Sequence, residues 1–191
     1  MNSDREKLAA IDRPDESVPN EESLIVLPSL PWFALHVRPR YEKQISQNLQ
    51  QKGFEEFLPL YSSRRKWSDR YKIVELPLFP GYLFCRIDRN VRMPVLTIPG
   101  VIRIVGFGGE LTPVSEEEVS AIRSIVKSGY AAEPWPFLKV GQRVRIMEGA
   151  LEGLEGILLK SRAGSRLVVS VDLLQRSVAV EIDAAWVKPV K

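Results

Sequence analysis

"ELPLFPGYLFCR", Glu75 to Arg86, decides how the rest of this chain is read. The run from Val74 to Phe84 is mostly apolar, yet Pro77, Pro80 and Gly81 cut into it. Proline cannot donate to a sheet ladder, and glycine weakens a strand interior. The corner therefore either turns inside a core or aims Phe79, Tyr82 and Phe84 at something else. Strand alternation puts Tyr82 and Phe84 on one face, so both are core or both are interface. Phe79 can serve either role.

Upstream, "PWFALHVRPR" alternates Phe33, Leu35 and Val37 with Ala34 and His36, a short buried strand ended by Pro39. "RYEKQISQNLQQKG" follows, with Tyr41, Ile45 and Leu49 at helical spacing and Gly53 placed past the end. "FEEFLPLY" reads as a strand, and "SSRRKWSDRYK" as a basic loop leading to the corner. Downstream, "VRMPVLTIPG" is a short helix or turn and "VIRIVGFGG" a strand. "SEEEVSAIRSIVKSG" opens with Ser115 and Glu118 in capping-box spacing, then carries Val119, Ile122 and Val126 on one face. The order β-α-β-β-β-α predicts an α+β domain over 30–128, an antiparallel sheet with flanking helices.

"GYAAEPWPFLKVG" holds two prolines and no periodicity, which predicts a linker over 129–137. "QRVRIM", "GILLKSR", "RLVVSVDLL", "SVAVEID" and "AWVKPV" then give five short alternating runs, the pattern of a five-stranded all-β barrel over 138–191.

Composition bounds the function. A chain of 191 residues, 45% hydrophobic and 27% charged, is an ordinary globular protein. No apolar run approaches the roughly 20 residues that span a bilayer. The start lacks the apolar core of a signal peptide, and a single cysteine excludes an intrachain disulfide, so a cytoplasmic protein without membrane attachment is expected. Residues 1–29 carry three basic and seven acidic side chains and read as a disordered acidic tail. Residues 30–128 carry fifteen basic and ten acidic ones, and the remainder nine against seven. An acidic tail ahead of a basic body permits contact with nucleic acid.

Enzyme chemistry finds little support. His36 and Cys85 are the chain's single histidine and cysteine, each in a strand run, without an orienting third group. Cys85 reads as a small buried hydrophobe and His36 as an ordinary strand residue. There is no phosphate loop and no metal-ligand spacing, so neither cofactor nor metal is expected. "RRKWSDRYK" is more informative: Arg64, Arg65, Lys66, Arg70 and Lys72 with Trp67 and Tyr71 between them suit phosphate contact and base stacking. Arg38, Arg40 and Lys43 form a second basic cluster. A solvated charged loop accounts for the same pattern equally well.

In the last third, "KVGQRVRIMEGALEGLEGILLKS" sets Gly149, Gly153 and Gly156 between inward-pointing Val144, Ile146, Ile157 and Leu159, and resembles the KOW motif. Together with "WFALHVRPRYEKQISQNL", "LFPGYLF", "GVIRIVGFGG" and "PVSEEEVSAI", in that order, the chain from Pro31 to Val190 resembles NusG-family transcription factors. "RRKWSDRYKIVELPLFPGYLF" is similar to the specialised paralogues RfaH, UpxY and LoaP.

The resemblance implies an N-terminal NGN domain, a KOW barrel, and a non-enzymatic elongation and antitermination factor, monomeric, that suppresses pausing. It implies that Trp32, His36, Phe79, Pro80, Tyr82, Phe84, Val119 and Ile122 meet the clamp helices of the bacterial RNA polymerase β′ subunit. The nontemplate DNA strand would run near Arg38, Arg40 and Lys43, with Arg64, Arg65, Lys66, Trp67 and Arg70 as further nucleic-acid contacts. Where RfaH touches the β-subunit gate loop, this chain has Val91, Arg92 and Met93, which departs from that contact. Through Glu148, Leu151 and Leu154, with Leu151 as an exposed knob, the KOW domain would recruit a small-subunit ribosomal protein and the Rho helicase. The Val-rich alternation at 168–170 and 177–181 favours the barrel over the helical KOW state of RfaH. Two alternatives stand beside this reading: a housekeeping NusG-type factor that assists Rho-dependent termination, and a KOW-type RNA-binding or ribosome-associated module.

Overall fold

The computed structural model describes residues 30–190 apart from 68, 69, 139, 162 and 163. The expected acidic tail lies outside the described residues. The N-terminal part is built on a four-stranded sheet in the order β2-β5-β1-β6, from β1 (Trp32–Val37), β2 (Glu56–Phe57), β5 (Tyr82–Arg86) and β6 (Val101–Ile104). β1 pairs antiparallel with β5 in the register Ala34↔Phe84 and His36↔Tyr82. This fixes two faces. Phe33, Leu35, Val37, Leu83 and Cys85 lie on one, packed with Ile45 and Leu49 of α1 (Glu42–Gln51) and Val95 of α2 (Met93–Leu96). Trp32, Ala34 and Phe84 lie on the other, beneath α3 (Glu116–Ser128).

Local signals explain the elements. α1 ends where Gly53 takes φ +79°, as its position past the helix predicts. The capping box of α3 is formed: Ser115 Oγ accepts from the Glu118 N–H at 3.1 Å, and Glu118 Oε2 accepts from the Ser115 N–H at 3.3 Å.

The expected single strand "FEEFLPLY" is split by Leu58–Pro59 into β2 and the start of β3 (Leu60–Trp67). The expected basic loop is a hairpin. β3 pairs with β4 (Arg70–Pro77) from Leu60↔Pro77 to Trp67↔Arg70, as a two-stranded sheet of its own. Its alternation is carried by arginine, lysine and serine rather than apolar residues, which is why it reads as a loop. A second small hairpin joins β7 (Gly106–Phe107) to β8 (Glu110–Leu111).

The C-terminal part is a six-stranded sheet. All five expected runs are strands: β10 (Gln142–Ile146), β11 (Glu155–Ser161), β12 (Gly164–Val171), β13 (Arg176–Ile182) and β14 (Val187–Pro189). The sixth, β9 (Ala132–Pro136), lies inside the expected linker and pairs with β13. Pro134 and Pro136 sit on this outermost strand, where a missing donor costs no ladder bond. Only residues 129–131 connect α3 to β9.

Candidate functional site

The Pro-Gly corner is a turn anchored at three points. The Tyr82 N–H donates to the Phe79 carbonyl at 2.9 Å, and the Val37 N–H to the Gly81 carbonyl at 2.9 Å. The Gly81 N–H donates to Oε1 of the buried Glu42 at 2.9 Å. Gly81 has φ +80°, the left-handed region that an L side chain avoids. The corner thus ends β4 and delivers β5 with its aromatics aimed across the sheet.

Those aromatics form one assembly. Phe79 meets Phe84 edge-on at 5.8 Å, Phe57 stacks near Phe84 at 6.1 Å, and His36 stacks on Tyr82 at 5.1 Å. Val119 and Ile122 of α3 close over the cluster. Trp32 lies at its edge, with the Arg86 and Arg123 guanidinium groups 4.6 and 5.2 Å from its ring. Its indole N–H donates to Glu116 at 3.3 Å. Arg86 in turn pairs with Glu55 at 2.9 Å and Glu116 at 2.8 Å, tying α3 to the sheet. Five of the expected clamp-binding residues, Trp32, Phe79, Phe84, Val119 and Ile122, are at most 1% exposed. Tyr82 and His36 are half-buried and Pro80 is exposed.

What covers this face comes partly from the other half of the chain. The apolar cluster holding Trp32, Phe79, Phe84 and Ile122 is continuous with Val144, Leu151, Val169, Val171 and Leu174. The corner between β12 and β13 makes the directed contacts. The Asp172 N–H donates to Glu118 Oε1 at 2.9 Å, and the Arg176 guanidinium lies 5.9 Å from the Tyr82 ring. Beside it, a cleft of about 850 Å³ separates α3 from β10–β12.

The basic residues split between surfaces. The hairpin register places Arg65, Arg70 and Lys72 on one face and Arg64, Lys66, Tyr71 and Ile73 on the other. Arg64 sits 4.0 Å over the Tyr71 ring, and Tyr71 and Ile73 are 59% and 71% exposed, a large apolar surface for so polar a ribbon. The side chain of Trp67 lies outside the described residues. Arg38 and Arg40 are exposed at the β1–α1 turn, Arg40 with φ +73°. Lys43 pairs with Glu75 at 3.1 Å, and Glu75 shares the Arg64 face, so the two basic clusters adjoin.

Comparison with known proteins agrees with this architecture. A family model described as transcription termination factor nusG matches residues 30–123. The transcription termination/antitermination protein NusG of Lactococcus lactis is 27% identical over 175 residues, covering 84% of this chain and 93% of that one. Its counterpart from Borreliella burgdorferi is 24% identical, covering 80% of this chain and 94% of that one. The chain belongs to the NusG family. The solved structure titled "Domain interaction in Thermotoga maritima NusG" matches with TM-score 0.51 at 20% identity, over 84% of this chain and 97% of that one, a likeness of fold.

As a NusG-family transcription factor the chain is not an enzyme. Its single cysteine and histidine lie on opposite faces of one sheet: Cys85 pairs with Phe33, His36 with Tyr82. Burial and the nearby Glu56 and Glu55 push the Cys85 thiol up to about 12. No described helix is long and apolar enough to cross a membrane, and no metal-holding cluster occurs among the described residues.

One expected site is corrected. Leu151 is 3% exposed and packs into the shared cluster, so it is not an exposed knob. Glu148 is exposed and Leu154 half-buried, both in the same loop. The β12–β13 corner was missed because "RLVVSVDLL" reads as one strand through Leu174. The strand instead ends at Val171, and Asp172–Leu174 form a 3-10 turn closed by Gln175 at φ +50°. Two leucines flanked by Asp172 and Gln175 were the available signal.

Proposed function

We propose that this NusG-family protein binds the RNA polymerase clamp through the aromatic face of its NGN domain, and suppresses pausing while bound. Proteins of this family interact with RNA polymerase. The observation that carries the reading is the half-buried Tyr82. It sits on the same strand and face as the buried Phe84, is stacked by His36, and is covered from outside its own sheet by Arg176 of the C-terminal part. An aromatic platform whose outermost member is half-buried and met in part by a separate sheet suits a removable partner. Interface hot spots favour such aromatics, and burying one contributes roughly 1.5–3 kcal/mol. The factor acts without bond chemistry of its own, by binding one clamp conformation better than others.

In this reading residues 30–128 are the NGN domain and 138–191 the KOW domain. The protruding hairpin, with Arg64, Arg65, Lys66 and Arg70, and the adjoining Arg38, Arg40 and Lys43, contact the nontemplate DNA strand. Its stacked Arg64–Tyr71 pair and exposed Ile73 support that role, because bases stack on such surfaces. The KOW domain recruits a further machine, a ribosomal small-subunit protein or Rho. The resemblance of 64–84 to RfaH-type paralogues supports a specialised antitermination factor.

The test is titration of the full chain with a β′ clamp-helix fragment, comparing wild type with Tyr82→Ala. Binding weakened at least tenfold in the variant supports the reading. Equal binding by both chains, or none by the folded wild type, removes it and favours a nucleic-acid module centred on the hairpin.

A further inference from the structure

We propose that the acidic segment 1–29 docks on the β3–β4 hairpin and masks its cationic face from polyanions, so that the chain carries its own competitor for that surface. That the masked polyanion is single-stranded DNA rests on the reading above; the docking rests on charge, exposed surface and reach.

The hairpin calls for an occupant. It is a two-stranded sheet of its own, and such a ribbon is marginally stable in water unless something packs on it. Residues 60–77 carry five basic side chains against two acidic ones. One of those acids, Glu75, is already paired with Lys43. The register sets Arg64 opposite Ile73 and Lys66 opposite Tyr71, so cations and exposed apolar side chains share one face. An occupant matched to this face brings negative charge and apolar surface together.

Segment 1–29 brings both. It holds seven acidic side chains against three basic ones, and from Pro14 onward Asp15, Glu16, Glu21 and Glu22 are accompanied by no basic residue. Leu24-Ile25-Val26-Leu27 follows almost at once. Carboxylates ahead of an aliphatic run answer the hairpin face in both chemistries. Nucleic acid answers it with phosphates and bases, so the two compete.

Reach permits the contact. The chain enters the fold at Leu30, whose carbonyl accepts from Arg86 Nη1 at 2.5 Å. The six residues of β1 lead from there to the corner, where the Val37 N–H donates to the Gly81 carbonyl. The hairpin leaves from that end, and Arg64↔Ile73 lies four steps beyond its base at Leu60↔Pro77. At about 3.3 Å per residue, β1 and those four steps together span about 33 Å. Asp15 to Glu22 precede Leu30 by fifteen to eight residues and reach about 26–50 Å when extended. Such a tether supplies an effective concentration of about millimolar, so a weak contact suffices. A polyanion then binds with its intrinsic affinity reduced by the undocked fraction.

The experiment uses the full chain with Ser17→Cys carrying a nitroxide, with and without Asp15→Asn, Glu16→Gln, Glu21→Gln and Glu22→Gln together. Native Cys85 is buried and stays unlabelled. Broadening of backbone amide signals reads docking, and titration with oligothymidine at low and high salt reads masking. The expected result is broadening at 64–66 and 70–73 that the four substitutions abolish. Oligothymidine should bind the neutralised chain about tenfold tighter at low salt, with the difference shrinking as salt rises. Broadening that misses the hairpin, or that survives neutralisation, would overturn the docking. Hairpin broadening with unchanged, measurable affinity would overturn the masking. Hairpin broadening with no oligothymidine bound by either chain keeps the docking and removes the nucleic-acid reading.

Discussion

One sheet in this protein has two buried faces that are closed in different ways. The α1 face is sealed by its own neighbourhood: Phe33, Leu35, Leu83 and Cys85 meet Ile45, Leu49, Val95 and Ile98, all within 33–98. The aromatic face carries rings of comparable burial, yet its cover includes residues from the other half of the chain, Asp172 and Arg176 among them. Burial alone does not separate core from binding surface, since Phe33 and Phe84 are both fully buried. What separates them is whether the covering element can leave without unfolding the domain beneath it.

Substitutions on the two faces break or sharpen that comparison. The largest effect is expected on the sealed face. Phe33→Ala leaves a cavity that nothing refills, and should cost about 3–5 kcal/mol in urea unfolding. On the shared face, Tyr82→Ala should cost about 1 kcal/mol of stability while weakening clamp binding at least tenfold.

The hairpin belongs to neither face. Arg64→Ala or Lys66→Ala should change stability by less than about 0.5 kcal/mol. Each should reduce the salt slope of single-stranded DNA binding by about 0.7, the change for one phosphate contact. An unchanged slope would return the hairpin to a solvated ribbon.

The smallest effect is a null result on the sealed face. With the Cys85 thiol pushed up to about 12, the folded chain holds no reactive thiolate near pH 8, and an aromatic disulfide reagent should label it only after unfolding. The sign for stability follows. The unfolded thiol ionises near its ordinary value of 9.0, so this contribution is intact below that pH and is lost as pH rises from 9 toward 12. Labelling of native protein at the rate of a free thiol would show that the sealed face opens.

Much of this was legible in the sequence because local chemistry dictated it. The capping box of α3, the Gly53 stop and the Pro80-Gly81 corner are signals carried by adjacent residues, and each forms as read. The alternation of 32–37 and 82–86 also fixed which aromatics share a face. The hairpin was hidden because its pairing is written in charged residues, and β9 because prolines at an outer strand look like a linker. Leu151 and the Asp172–Arg176 corner were misjudged for one reason. Their environment is set by a sheet and a helix far away in the chain, and no window of sequence reports which loop of a small β domain turns inward.

The most direct test is hydrogen exchange on the full chain with and without the β′ clamp-helix fragment. The account predicts that the fragment slows exchange across 79–86 and 116–126 and, in the same sample, speeds it at 172–176 as it takes the place of the contacts to Glu118 and Tyr82. Slowed exchange confined to 60–77, or slowing at the aromatic segments with no change at 172–176, would contradict it.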